Sequence, residues 1–226
     1  MGKIYKTLIF DGQISLSVLD TTDVVNEAIR LHKLTPVCAA ALGRTLTVTA
    51  FMASQLKGED ERLSVTINGN GAGGKIIAAA DSKLNVRGAI DNPTIDLPLK
   101  ANGKLDVGGV VGNSGYITVV KNLGLKEPYV GRSELVSGEI GEDFAAYYAY
   151  SEQQPTAIAV GVLIKNERCI GAGGVIIQPL PDCTEENLVK AENLVNKFSD
   201  VSKQISETGV EGFATPKHLQ KEDGTQ

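Results

Sequence analysis

Tryptophan is absent from this chain, and histidine, methionine and cysteine number only 2, 2 and 3 among 226 residues. The two histidines, His32 and His218, leave a Ser-His-Asp or Cys-His centre little to draw on, and a His-rich metal site equally little. Cys38, Cys169 and Cys183 are far apart and form no Cys-x-x-Cys pair, so no zinc ligand set is expected in this chain. A basic excess is also missing. Lys and Arg total 22 against 27 Asp and Glu, and they are scattered, which argues against a broad nucleic-acid face. One run, Val37 to Leu56, is long enough to cross a bilayer, but it carries Arg44 together with Thr45, Thr47, Thr49, Ser54 and Gln55. A central Arg costs about 2.5–3.5 kcal/mol on insertion scales. The run therefore predicts a buried helix with Thr35 as N-cap and Pro36 at N1, and no membrane partner. No secretory signal is visible in Met1–Lys6, so a cytoplasmic location is expected.

With 42% hydrophobic residues the chain can bury roughly 70–75% of its unfolded surface, enough for one large domain or a domain with an appendage. Strand-like runs at residues 4–9 and 13–19 precede an amphipathic helix at 23–32 and the small-residue helix after Thr35. Alternating runs then follow at 62–67, 75–80, 84–90, 115–121 and 129–136, with turn residues between them. A helix at 142–150 leads to strands at 157–164 and 173–178. This is hairpin spacing rather than βαβ spacing, and it predicts an α+β fold of mostly antiparallel sheets with a helical layer. From Thr184 onward Leu188, Ala191, Leu194, Val195, Phe198, Val201 and Ile205 share one helical face that must be covered. The expected division is a core domain at 1–178, a helical linker at 179–208 and a polar, weakly ordered tail at 209–226.

Several apparent active-site signals weaken in context. Gly69–Gly74 satisfies G-x-G-x-x-G, but it lies between two strands, whereas a dinucleotide loop must open a helix. Gly108, Gly109, Gly112, Gly173 and Gly174 read as turns and bulges. Glu139, Glu142 and Asp143 could in principle form an acid/base pair, yet carboxylates at a helix start are commoner. Arg44, inside an otherwise apolar helix, needs a carboxylate, and Glu139, Glu142 and Glu152 are the candidates.

The most specific word in the chain runs from Val136 to Thr156. Gly138-Glu139-Ile140-Gly141-Glu142-Asp143 followed by Ser151-Glu152-Gln153-Gln154-Pro155-Thr156 resembles the signature of the redox-regulated heat-shock holdase family, the thirty-three-kilodalton heat-shock protein. Thr21-Thr22-Asp23 with Asn26-Glu27, Ala41–Arg44, Val119–Leu125, and Ala172-Gly173-Gly174 with Gln178 agree with it, over about residues 4 to 205. The resemblance implies an ATP-independent chaperone core that binds unfolded client proteins through apolar surface, with the 184–205 face as a displaceable cover. It implies no catalytic residues and no cofactor in this chain, since the family's zinc belongs to a Cys-x-Cys and Cys-x-x-Cys domain that these residues do not contain. Members of the family dimerise when active, and monomer versus dimer stays open here. The competing reading is a small-molecule-binding enzyme using the Gly69–Gly74 and Gly171–Gly174 segments as loops around Glu139–Asp143.

Overall fold

The computed structural model describes residues 2–198 and 200–213. In chain order its elements are β1 (Lys3–Ile9), β2 (Ile14–Asp20), α1 (Thr22–His32), α2 (Pro36–Ala53), β3 (Arg62–Asn68), β4 (Ile76–Asp81), β5 (Val86–Ile90), α3 (Val107–Val111), β6 (Tyr116–Asn122), β7 (Tyr129–Glu134), α4 (Gly141–Tyr150), β8 (Ala157–Lys165), β9 (Arg168–Pro179), α5 (Glu185–Asn196) and α6 (Val201–Thr208), then a 3-10 turn at Val210–Gly212. Two sheets form, ordered β1-β2-β9-β8 and β5-β4-β3-β6-β7, and every pairing within them is antiparallel. The fold is α+β, as the hairpin spacing predicts.

Helix α2 lies between the sheets, packed on β8 and β9 on one side and on β3, β4 and β5 on the other. Its threonines explain how so polar a sequence is buried. Thr45, Thr47 and Thr49 are fully buried, and each hydroxyl donates to the carbonyl four residues earlier, on Ala41, Gly43 and Thr45, at 2.8–2.9 Å. Hydroxyls satisfied by their own helix need no external partner. Gly43 gives the close approach to neighbours, because a Cβ there would stand 2.9 Å from methyls of Val25 and Val162. Pro36 sits at N1 after Thr35, as expected, but the Thr35 hydroxyl donates to the Ile95 carbonyl instead of capping the helix.

The two sheets differ on their outer faces. On the five-stranded sheet, Arg62, Ser64, Thr66 and Thr118 point away from α2 and are partly or fully exposed. The four-stranded sheet is apolar on both faces: Leu19 and Ile176 join the core around α2, whereas Ile14, Leu16, Val18, Val175 and Ile177 point the other way into a second apolar cluster. Such a face must be covered in water.

The helical stretch from Thr184 is two helices rather than one. At the end of α5 the Lys197 and Phe198 amides bond back to Leu194 and Val195 carbonyls, and Phe198 turns inward against Phe213 with ring centroids 5.5 Å apart. Of the stretch read as a polar tail, Val210 and Phe213 are buried in the second cluster, while residues 214–226 lie outside the described residues.

Candidate functional site

The Val136–Thr156 word builds a bracket of buried polar contacts. Asp143, with no exposed surface, accepts amide protons from Val136, Ser137 and Gly138 on Oδ1 at 2.8, 2.9 and 3.2 Å, and from Ile140 on Oδ2 at 2.8 Å. Four donors fix a loop in which Gly138 and Ile140 both hold positive φ, 75° and 69°. A carboxylate so fully engaged is in no position to act as a general acid or base. Glu139 is the partner of Arg44, at 2.9 Å, and also meets Lys100 and the Gly108 amide. Burial would push the Glu139 carboxyl up, but hydrogen bonds from Lys100 and Arg44 outweigh it and hold the group below the usual range. Glu142 is exposed, and Glu152 serves a different cluster, accepting from Lys121 Nζ and the Tyr147 hydroxyl at 2.6 Å each. Burial, reinforced by the Glu152 charge, drives the Tyr147 hydroxyl well above its ordinary pKa.

A second chain of hydrogen bonds runs from the Tyr148 hydroxyl to Gln55 (3.2 Å), on to Gln178 (3.1 Å) and to Thr156 (3.0 Å), tying α4 and the end of α2 to the four-stranded sheet. The backbone of Ser151 ends α4 on the Tyr147 carbonyl, and Gln153, at φ 53°, turns the chain toward exposed Pro155 and into β8. The signature residues therefore join the two sheets.

The glycine-rich segments do not surround these carboxylates as phosphate loops. Amides of Gly71, Ala72 and Gly73 donate to the carbonyls of Val111, Gly109 and Val110, so they face α3 and not a ligand. A Cβ at Gly71 would stand 2.4 Å from the Val110 carbonyl oxygen, which is the reason for glycine there. Gly171–Gly174, read as a loop in the enzyme alternative, lies inside β9. Cys38 and Cys169 are buried, and burial raises both thiols, Cys169 to about 11.

What remains is the second apolar cluster. Ala191, Leu194, Phe198, Val201 and Ile205 are buried on Ile14, Leu16, Val18, Val175 and Ile177; Val195 is partly buried and Leu188 stays 38% exposed. Helix α6 sits close enough to require glycine beneath it. A Cβ on Gly171 would stand 2.2 Å from the Ser202 carbonyl oxygen, one on Gly161 2.9 Å from the Ser202 hydroxyl, and one on Gly173 2.4 Å from Ile205. This seat, together with Val210 and Phe213, escapes a reading from sequence, although β9 signals it by being apolar at both odd and even positions. Polar anchorage of the cover lies at its start, where Gln13 Oε1 accepts from the Thr184 amide at 2.9 Å and from Asn187 Nδ2 at 2.9 Å, and Thr184 Oγ1 lies 3.1 Å from it. Further along, Lys3 and Glu211 form an exposed pair at 3.7 Å.

A buried apolar sheet face thus lies under a two-helix cover, beside the polar bracket around Asp143 and Glu139. The Hsp33 protein family model matches residues 2–221. The chain is 48% identical over 187 residues to the 33 kDa chaperonin of Ruminiclostridium cellulolyticum, covering 83% of this chain and 64% of that protein. It is 46% identical over 205 residues to the 33 kDa chaperonin of Staphylococcus carnosus, covering 90% and 69%. Among solved structures, the crystal structure of the 33 kDa chaperonin from Thermotoga maritima superposes with a TM-score of 0.86 at 35% identity, covering 98% of this chain and 76% of that one. The chain belongs to the Hsp33 family, and it spans about two thirds of the length of the curated relatives it matches.

Proposed function

We propose that this chain is the client-binding part of an ATP-independent chaperone, which holds unfolding proteins on the outer face of the four-stranded sheet once α5 and α6 lift away. The observation that carries this reading is the pairing of a sheet apolar on both faces with a cover held chiefly by apolar contact. In this role Leu188, Ala191, Leu194, Val195, Phe198, Val201 and Ile205 form the gating face. Each 100 Å² of client apolar surface buried contributes about 2.5 kcal/mol before the ordering of the client is subtracted, so a few hundred square ångströms suffice. Heat opens the cover first, because local unfolding precedes global unfolding where a segment is held chiefly by apolar contact with one sheet face. Free, buried thiols support a cytoplasmic setting.

Light scattering from a chemically unfolded model client tests the reading, with the full chain at equimolar amount, without ATP, at rising temperature and with or without peroxide. Suppression that increases with temperature and ignores peroxide is expected. Scattering that never falls, even at temperatures where hydrogen exchange shows α6 open, refutes it.

A further inference from the structure

We infer that the open edge of β7 is a self-association surface, which pairs antiparallel with β7 of a second copy of this chain across a two-fold axis at Ser133. Strand β7 ends the five-stranded sheet, with β6 on one side and no strand on the other. The Leu135 amide donates to the Gly115 carbonyl at 2.9 Å, so by alternation the backbones of Ser133 and Gly131 also face β6. The amides and carbonyls of Val130, Arg132 and Glu134 therefore point to the open edge. The Ser133 hydroxyl donates to the Glu134 carbonyl at 3.2 Å, which leaves that oxygen a second lone pair.

Charge singles out this edge among the strands that end the two sheets. Strand β1 carries Lys3 and Lys6, β5 carries Arg87 and β8 carries Lys165, each with no acid, and cations alone on an edge discourage pairing with a copy of the same strand. Only β7 carries both signs, Arg132 and Glu134, on one face of a strand without a bulge. Both are exposed, and neither has an ion-pair partner among the described residues. The Arg132 guanidinium lies over the Tyr116 ring, 3.6 Å from its centroid, which orders it before any carboxylate arrives. In an antiparallel pairing centred on Ser133, Arg132 stands opposite the second copy's Glu134, and Glu134 opposite the second copy's Arg132. Each such pair also exchanges two main-chain bonds. Val130, 59% exposed, then meets Val136 of the other copy, 58% exposed. The neighbouring registers, centred on Arg132 or on Glu134, set like charges against each other, so charge selects the register. The Val136 amide is already held by Asp143, which ends the pairing there. An edge of 6 residues buries little surface, and the dimer is a weak, reversible one.

Sedimentation equilibrium of the full chain at rising concentration tests this, with Arg132→Glu, Glu134→Arg and an equimolar mixture of the two variants. Both positions are exposed, so neither substitution touches the core. Each variant alone sets like charges across the axis and should weaken self-association by more than about tenfold. In the mixture two acids face two cations, and association should return to at least the native strength, a rescue that follows from an isologous edge in this register. Hydrogen exchange at Val130, Arg132 and Glu134 of the native chain should slow as its concentration rises. A native chain that stays monomeric to about 1 mM, or variants that associate as tightly as it does, overturns the inference. Loss in both variants without rescue in the mixture overturns it too. Slowed exchange at this edge only when an unfolded client is added assigns it to client strands and overturns self-association. The holding role stands or falls separately, on aggregation suppression.

Discussion

Replacing Gly171 with alanine should open the cover while leaving the apolar face beneath it chemically intact. Gly171 is not among the residues with positive φ, so its backbone suits any side chain and the new methyl is the whole perturbation. That methyl would stand 2.2 Å from the Ser202 carbonyl oxygen, 2.8 Å from Ser206 Cβ and 3.1 Å from the Ser206 amide. All three belong to α6, and two are backbone, so no rotamer change relieves the clash and the helix must move by about 1 Å or more. Overpacking of this kind costs about 1–3 kcal/mol. Because each 1.4 kcal/mol is a factor of ten, the open population should rise roughly five- to hundredfold. Hydrogen exchange at Val201–Thr208 should quicken by that factor while exchange in α2 stays unchanged, and aggregation suppression should appear at lower temperature. Faster exchange in α6 with no gain in suppression would show that clients do not use the covered face.

Asp143→Asn exchanges an acceptor of four amide protons for a group with one carbonyl oxygen and an NH₂, and it should destabilise by about 2–4 kcal/mol in urea unfolding. Glu139 titrates below its ordinary value of 4.5 in the folded chain, so it contributes stability above that pH which fades as pH falls through the lowered value; Glu139→Gln should flatten this acid limb in melts between pH 6 and 3. Peroxide should leave client holding unchanged, and an aromatic disulfide reagent should titrate Cys183 alone in the native chain but all 3 thiols after unfolding. Rapid native reaction at Cys38 or Cys169 would refute their burial.

Hairpin spacing and the two-residue alternation made the strands legible, because each strand of the five-stranded sheet buries one face and exposes the other. The four-stranded sheet was harder to read. In β9 both parities are apolar, so a periodicity of two disappears, and the strand pattern in the sequence begins only at Gly173 although β9 starts at Arg168. Helix α3 has no sequence signal because Val-Gly-Gly-Val-Val has little helical propensity of its own; Asp106, accepting from the Gly109 amide, and the glycine loop packed against it hold it in place. Charge alone leaves three carboxylates as partners for Arg44, and the choice of Glu139 depends on a loop held by Asp143, which charge patterning does not encode. The glycine seat under α6 was invisible for a related reason: glycines in a strand look like bulges until the helix above them is known.

The short connection from β9 to α5 bears on how a bound client would leave. A cover joined through the chain to the end of β9 does not diffuse away when it opens; it remains an intramolecular ligand for its own sheet, at an effective concentration in the millimolar range. A client must outcompete that ligand, and as it refolds and withdraws its apolar surface the balance returns to the tethered helix. On the proposed holding role, release would follow from competition between two ligands for one face.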